Sequence, residues 1–288
     1  MELLPFVDTH VHFWNLDDPT LRYDFLTGSD EHAIIGDING VRVRRFSVPE
    51  YRAQTRFQNV TKVVHVQVSN TPDPVAETRW VSALADRTGL PTAIVGLLRL
   101  GGEDAVAQLE GHASFDRVRG VRSFEPAEAM ADPHWQRNFA RLEQHGLVFC
   151  HMFSWPDKQP AYDLAVRHPG VTVCVDQASM PRSRDEDYFQ NWRAGLRKAA
   201  AAPNVVCKIS SLGMTDQRWT VASMRRWVLS CVEIFGPDRA FFGSNWPMDS
   251  LFSAYPDLVN AFRELVAEFS VDEQRSLLAG TAERVFRI

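Results

Sequence analysis

Three short apolar runs follow one another in the second half of the chain: LVFCHMF (147–153), VTVCVDQ (171–177) and NVVCKISSL (204–212). Runs of this length that are rich in valine are typical of strands buried on both faces of a parallel sheet. They begin roughly 25–35 residues apart, which is the length of a strand–loop–helix–loop unit. The pattern therefore predicts consecutive parallel strands joined by helices.

The same pattern extends over almost the whole chain. Five further runs resemble strands: FVDTHVH (6–12), KVVHVQV (62–68), PTAIVGLLRL (91–100), VRGVRSF (118–124) and AFFGSNW (240–246). The segments between the runs have apolar residues at helical spacing, and several end at a glycine, as helices often do. Eight strands linked by right-handed crossovers can close into a ring without exposed edges. We therefore predict an α/β fold, a single (β/α)₈ TIM barrel over residues 1–288, with an open doubly wound sheet as the alternative.

Residues 13–61 depart from this repeat. The stretch between the first two strands is polar and rich in loop-forming residues, as in WNLDDPTLRYDFLTGSDEH (14–32). Loops of this length are usually functional or disordered. Active sites of such barrels lie at the C-terminal ends of the strands. We therefore predict that 13–61 is a loop insertion that forms a flap near the active-site mouth.

The composition of the chain excludes several classes of partner. The chain has 31 Lys and Arg against 36 Asp and Glu, so it offers no basic field for nucleic acid or an anionic membrane. No apolar run is as long as a membrane span, and the first residues lack the pattern of a secretory signal. The four cysteines lack C-x-x-C spacing, and three lie in predicted strands, where reduced thiols are usual. We predict a cytoplasmic protein with a small-molecule substrate and no nucleic-acid or membrane partner, and a homodimer is compatible with these features.

Histidines at the ends of two predicted strands are the first candidates for catalysis. His10 and His12 end the first strand, point to the same side and lie about 7 Å apart along it. Both imidazoles can therefore reach one metal or one substrate. His151 ends the fifth strand, on the same face as Phe149, and we place it in the barrel interior. The alternative for each is a histidine that is hydrogen-bonded in the core.

Other strand ends supply candidates for substrate binding. His65 on the second strand is either a substrate contact or a core residue. Arg122 on the fourth strand suits a substrate carboxylate, because a guanidinium binds a carboxylate through two hydrogen bonds, but an ion pair with Glu125 is equally open. Lys208 on the seventh strand is a cation for substrate, and nothing else supports imine chemistry there.

The eighth strand runs into a sharp turn. Glycine and proline flank polar residues in Gly243-Ser244-Asn245-Trp246-Pro247, which marks the exit from a strand. We expect Asn245 to face the barrel mouth and Asp249 to lie farther out on the loop.

These motifs together resemble a known family. The chain is similar to the amidohydrolase superfamily, and more closely to the amidohydrolase-related TIM-barrel hydrolases that include 2-pyrone-4,6-dicarboxylate lactonase and the sugar lactonases. The resemblance covers nearly the whole chain. It is carried by Val7-Asp8-Thr9-His10-Val11-His12, Gly120-Val121-Arg122, Val175-Asp176-Gln177, Lys208-Ile209-Ser210, Phe242-Gly243-Ser244-Asn245-Trp246-Pro247 and the final Gly280-Thr281-Ala282-Glu283-Arg284-Val285-Phe286.

The resemblance also implies a set of metal ligands, from which this chain departs. The superfamily uses a His-x-His on strand one, histidines on strands five and six, and an aspartate on strand eight. Here His10, His12 and His151 occupy three of these places, whereas Gln177 and Asn245 replace the other two. The aspartate usually takes the proton of the attacking water, which an amide cannot do. Because the lactonase branch includes members that work without metal, we expect no cofactor, with a single Zn²⁺ at the three histidines as the alternative.

The remaining groups suit the hydrolysis of a small carboxylated lactone. We assign the general base to His151 or to one of His10 and His12, since a neutral imidazole suits that task. The other strand-one histidine and Asn245 donate hydrogen bonds to the carbonyl oxygen. The substrate-binding residues are His65, Arg122, Gln177, Lys208 and Trp246. The alternatives are a metal-dependent decarboxylase of an aromatic or unsaturated carboxylic acid, and a degenerate barrel that only binds a small ligand.

Overall fold

A computed structural model describes residues 3–28, 31–153 and 159–288, and its main feature is a sheet of eight parallel strands in chain order. The two strands outside this sheet are β2 (Trp14–Asn15) and β3 (Arg45–Phe46), which pair antiparallel. The ring closes where Val11 and Trp246 form a parallel bridge and the His12 N–H donates to the Trp246 carbonyl oxygen over 2.8 Å. The predicted TIM barrel is confirmed, and the open sheet is wrong. The barrel strands are β1 (Phe6–Val11), β4 (Val60–Val66), β5 (Ala93–Leu97), β6 (Val118–Arg122), β7 (Val148–His151), β8 (Val173–Val175), β9 (Val205–Ile209) and β10 (Ala240–Phe242).

Helices cover the outside of the barrel, and their ends follow local sequence signals. Asp73 caps the longest of the early helices by accepting a hydrogen bond from the Val75 N–H, and Gly89 ends the same helix with a φ of 79°. No helix within the described ranges is both long and apolar enough to cross a membrane. The helices are α1 (Asp24–Thr27), α2 (Val48–Thr55), α3 (Pro74–Thr88), α4 (Ala105–Ala113), α5 (Pro133–Ala140), α6 (Leu142–His145), α7 (Gln159–Arg167), α8 (Glu186–Ala200), α9 (Val221–Phe235), α10 (Tyr255–Leu265), α11 (Val271–Arg275) and α12 (Thr281–Phe286).

Successive strand residues alternate between the barrel interior and the layer under the helices. Small and β-branched side chains pack together inside, including Val66, Val95 and Cys150. Aromatic rings fill the layer outside β7, where Phe149 meets Trp135 and Phe139 of α5 edge to face. This alternation decides which polar residues can reach the barrel mouth.

The insertion at 13–61 carries more regular structure than its composition indicates. Apart from 29–30, which lie outside the described residues, it contains β2, β3, α1, α2 and a 3₁₀ turn at Asn39–Val41. Ser47 begins α2 with a capping box, in which Glu50 accepts from the Ser47 N–H.

Candidate active site

The chain turns sharply after four successive strands at the C-terminal end of the barrel. Phe153, Gln177, Ser211 and Asn245, which follow β7, β8, β9 and β10, all have positive φ. Left-handed backbone costs a non-glycine residue roughly 1–2 kcal/mol, and such strain clusters at functional sites. After β8 the left-handed conformation continues from Gln177 through Met180.

A cavity of about 270 Å³ opens among these turns. Four residues predicted for the site line it, namely His12, Arg122, Gln177 and Asn245. The rest of the lining includes the polar residues His32, Gln67, Ser69 and Asn70 and a larger apolar set that is rich in thioethers. The apolar set includes Phe25, Phe124, Met152, Met180, Met214 and Met248. The cavity therefore combines polar and apolar side chains, and Phe25 belongs to the 13–61 insertion.

The protonation of His12 follows from its contacts. Its Nδ1 lies 2.8 Å from the Val66 carbonyl oxygen, so Nδ1 carries the proton and donates it. The other nitrogen, Nε2, then has a lone pair and lies 3.4 Å from Asn245 Oδ1. Burial, followed by the positive charge of Arg122, lowers the pKa of His12 to about 3. His12 is thus a neutral imidazole whose basic nitrogen faces Asn245, and both residues line the cavity.

Asn245 connects His12 to a buried carboxyl group. The amide Nδ2 of Asn245 lies 2.8 Å from Asp249 Oδ1, because the 3₁₀ turn at Met248–Leu251 brings Asp249 back over the strand end. Asp249 is only 1% exposed. Burial raises its pKa to about 7, against the opposing hydrogen bond from Asn245. The sequence places Asp249 farther out on the loop, but the 3₁₀ turn returns its carboxyl group to Asn245.

Arg122 contributes a positively charged side chain to the cavity lining. One of its nitrogens, Nη1, donates to the Gln67 carbonyl oxygen over 3.0 Å, and the guanidinium lies 4.3 Å from the ring centre of Phe124. Glu125, the alternative partner for Arg122, instead accepts hydrogen bonds from Leu100 N–H and Gly101 N–H. The guanidinium therefore remains available to an anionic ligand.

His10 and Lys208 lie deeper and do not line the cavity. The ring of His10 meets that of His12 edge to face at 4.9 Å, and its Nδ1 is 3.2 Å from Ser210 Oγ. Burial and then the charge of Lys208 lower the pKa of His10. Lys208 Nζ pairs with Asp176 Oδ1 at 2.8 Å. Although burial alone would lower the pKa of Lys208, Asp176 raises it above the usual value, so this lysine is an internal counter-ion.

His151 and His65 point toward the helices. Cys150 rather than His151 carries the inward position of β7, which corrects the expected placement. His151 Nδ1 accepts from the Phe153 N–H at 2.9 Å, and Nε2 donates to the Glu125 carbonyl oxygen at 3.1 Å. His65 has a similar place and lies 3.3 Å from a Glu77 carboxylate oxygen. Neither histidine presents a free ring nitrogen to the cavity.

Trp246 helps to close the barrel and does not line the cavity. It is 1% exposed, and its Nε1–H donates to Gln54 Oε1 over 2.8 Å. Its ring packs edge to face on Tyr255 of α10.

The three histidines of the zinc alternative do not bring their ring nitrogens close enough together to share an ion. Among the described residues, the group whose ligand atoms lie close enough to share an ion is Cys150, Cys174 and Asp176. Lys208 already neutralises that carboxylate, and burial raises the pKa of the Cys174 thiol, which keeps it protonated. The alternative set of His10, His12 and His151 is not such a group, since both nitrogens of His151 bind the backbone.

Comparison with known proteins identifies the family. A family model described as Amidohydrolase matches residues 7–288. An uncharacterized protein of Sinorhizobium fredii is 31% identical over 301 residues, with 100% of both chains covered. An L-fucono-1,5-lactonase of Burkholderia multivorans is 28% identical over 302 residues, which cover 98% of this chain and 96% of that protein.

Solved structures share the same fold. An amidohydrolase from Burkholderia multivorans with bound Zn has a TM-score of 0.83 at 24% identity over 99% of both chains. A 5-carboxyvanillate decarboxylase from Sphingomonas paucimobilis has a TM-score of 0.65 at 17% identity, again over 99% of both chains. The family match from residue 7 to residue 288, together with the relative at 31% identity and the L-fucono-1,5-lactonase, shows that the chain is a hydrolase that belongs to the amidohydrolase family.

Proposed function

We propose that the protein hydrolyses a small carboxylated lactone without a metal ion, with His12 as the general base. The observation that carries the proposal is the convergence of His12 Nε2, the Asn245 amide and the Arg122 guanidinium on one cavity. The similarity to an L-fucono-1,5-lactonase supports the reaction type. The apolar side chains of the lining give unsaturated or alkyl parts of the ring a surface to pack on.

Each polar group has one task in this mechanism. Arg122 binds the substrate carboxylate, and the Gln177 amide donates to the lactone carbonyl oxygen. His12 Nε2 takes a proton from water while the water oxygen bonds to the carbonyl carbon. The ring carbon–oxygen bond then breaks, and His12 returns the proton to the departing ring oxygen. The product is a hydroxy acid, whose ionisation releases one proton to the solvent.

Substrate binding strengthens His12 as a base. A pKa of about 3 keeps Nε2 unprotonated but makes it a weak base. The charge of Arg122 is the second cause of this low pKa. A carboxylate bound to Arg122 cancels that charge, so the pKa of His12 rises when an anionic substrate arrives. The preference for a carboxylated substrate thus follows from both binding and proton transfer.

A lactone panel tests the proposal. Purified protein, with and without a chelator, is mixed with an unsaturated carboxylated lactone, a neutral lactone, L-fucono-1,5-lactone and an aromatic carboxylic acid, and the release of acid and of carbon dioxide and the binding of each compound are recorded. We expect fastest turnover of the carboxylated lactone, with no effect of the chelator. Loss of turnover with the chelator, carbon dioxide release from an aromatic carboxylic acid, or binding without turnover across the panel contradicts the proposal.

Replacing Arg122 by glutamine tests the anion site. We expect kcat/KM for the carboxylated lactone to fall about 10- to 100-fold, the effect of losing one charged hydrogen-bond partner. Turnover of a neutral lactone should change little. Arg119→Gln is the matched control, because Arg119 lies on the same strand but binds backbone oxygens of Asp116 and Val118 near the other end of the barrel. Equal losses for both lactones would remove Arg122 from this role.

A further inference from the structure

Two hydrogen-bond acceptors, His12 Nε2 and Asp249 Oδ1, compete for the NH₂ group of Asn245. His12 Nδ1 must carry its proton to donate to the Val66 carbonyl oxygen, so Nε2 has only a lone pair to offer. Asn245 nevertheless turns its carbonyl oxygen toward Nε2 at 3.4 Å and its NH₂ group toward Asp249 Oδ1 at 2.8 Å. This orientation satisfies an ionised Asp249 but leaves two lone pairs opposite each other at His12.

The opposite orientation of the amide requires a proton on Asp249. If Asn245 turned over, its NH₂ group would donate to His12 Nε2 and its oxygen would face Asp249. Two acceptor oxygens 2.8 Å apart need a hydrogen between them, so Asp249 would have to be protonated. The amide of Asn245 therefore takes one orientation for each ionisation state of Asp249. Asn245 tolerates its φ of 59° because asparagine is one of the few residues that adopt left-handed backbone readily.

The groups around Asp249 allow both its ionised and its protonated form. Its Oδ2 lies against the backbone of Gly213, where an added Cβ would be 3.1 Å away. Asp8 on β1 is the ionisable group whose negative charge adds to the effect of burial on Asp249. Asp8 in turn accepts from Tyr51 of α2 and Tyr255 of α10. The 3₁₀ turn at Asn39–Val41 packs against the turn that carries Asp249, with Gly40 next to Leu251.

We propose that Asp249 is a positioning residue that controls the basicity of His12 through the orientation of the Asn245 amide. This inference rests on the proposed role of His12 as the base. With Asp249 ionised, the Asn245 oxygen faces Nε2 and accepts the hydrogen bond as soon as Nε2 takes a proton from water. With Asp249 protonated, the Asn245 NH₂ group occupies the Nε2 lone pair and blocks proton transfer.

The sign of the pH dependence follows from the raised pKa of Asp249. That pKa is about 7, so the ionised, active arrangement gains population as the pH rises through about 7. Protonation of His12 cannot produce this step, since its pKa is about 3. We therefore expect kcat/KM to increase with pH around neutrality.

Nitrogen NMR of the histidine side chains tests the inference without turnover. In the unaltered protein, the His12 Nε2 signal, assigned by its loss in His12→Gln, should shift with a midpoint near pH 7 while Nδ1 stays protonated. In Asp249→Asn the shift should disappear, the rise of kcat/KM around neutrality should vanish, and kcat/KM at pH 8 should fall about 10- to 100-fold. Asp257→Asn, at an exposed position nearby on α10, is the control and should keep both the shift and the rise.

The outcomes separate this inference from the proposed function. A pH-dependent His12 signal in a protein that hydrolyses no lactone supports the control by Asp249 and removes the proposed reaction. A His12 Nε2 signal that stays constant from pH 5.5 to 8.5 in the unaltered protein overturns the inference, whatever Asp249→Asn does. An Asp249→Asn variant that keeps the pH step also overturns it.

Discussion

His12→Gln is expected to lower kcat for the carboxylated lactone by about 10²- to 10⁴-fold, the usual contribution of a general base. Glutamine can keep a donor toward the Val66 carbonyl oxygen, as His12 Nδ1 does over 2.8 Å, but it has no basic nitrogen. KM should change little, because Arg122 rather than His12 holds the substrate carboxylate. Steady-state kinetics at pH 8, where Asp249 is ionised, measure the effect.

His151→Gln is the matched control for this variant. His151 has both ring nitrogens bound to backbone groups and stacks on Phe149 under the helices. We expect kcat to change less than about fivefold, together with a loss of roughly 1–2 kcal/mol in the free energy of unfolding. A loss of activity as large as that of His12→Gln would instead favour His151 as the base, which the sequence left open.

The barrel could be predicted because its signal is repeated eight times along the chain. Each strand is a short apolar run, and one misread run does not change the conclusion. The same logic located His12, Arg122, Gln177 and Asn245, since polar residues at the C-terminal ends of barrel strands meet at one mouth. These predictions required only the order of the strands and the position of each residue at a strand end.

The other features of the site could not be predicted, because they depend on strand register and loop conformation, which the sequence does not specify. Cys150 and His151 are neighbours, and only the pairing of β7 with β8 decides which one faces inward. Asp249 is beyond the strand, and a 3₁₀ turn rather than any periodic pattern returns it to Asn245. The two phenylalanines and four methionines of the cavity come from six separate segments, where lone methionines such as Met152 and Met214 carry no signal.

Asp8→Ala is expected to cause the largest loss of stability of any variant considered, about 3–5 kcal/mol. Asp8 is fully buried and accepts hydrogen bonds from Ser244 N–H at 2.8 Å and Ser244 Oγ–H at 2.7 Å. Tyr51 and Tyr255 donate to the same carboxylate over 2.8 and 2.9 Å. Alanine leaves these donors buried without an acceptor, and each such group costs about 1–3 kcal/mol, although the costs do not add fully. Urea unfolding followed by tryptophan fluorescence measures the change.

Variants of the two tyrosines distinguish the loss of the Asp8 carboxylate from the loss of one of its hydrogen-bond donors. Tyr51→Phe and Tyr255→Phe each remove one donor but leave Asp8 with the others, so each should cost only about 1 kcal/mol. Because Ser244 precedes Asn245, loss of Asp8 should also displace the Asn245 amide and lower kcat, whereas the tyrosine variants should keep most of the activity. An Asp8→Ala protein that unfolds within 1 kcal/mol of the parent would mean that water or a rearranged hydroxyl replaces the carboxylate. The link between β1 and the β10 turn would then depend on the Val11–Trp246 bridge rather than on Asp8.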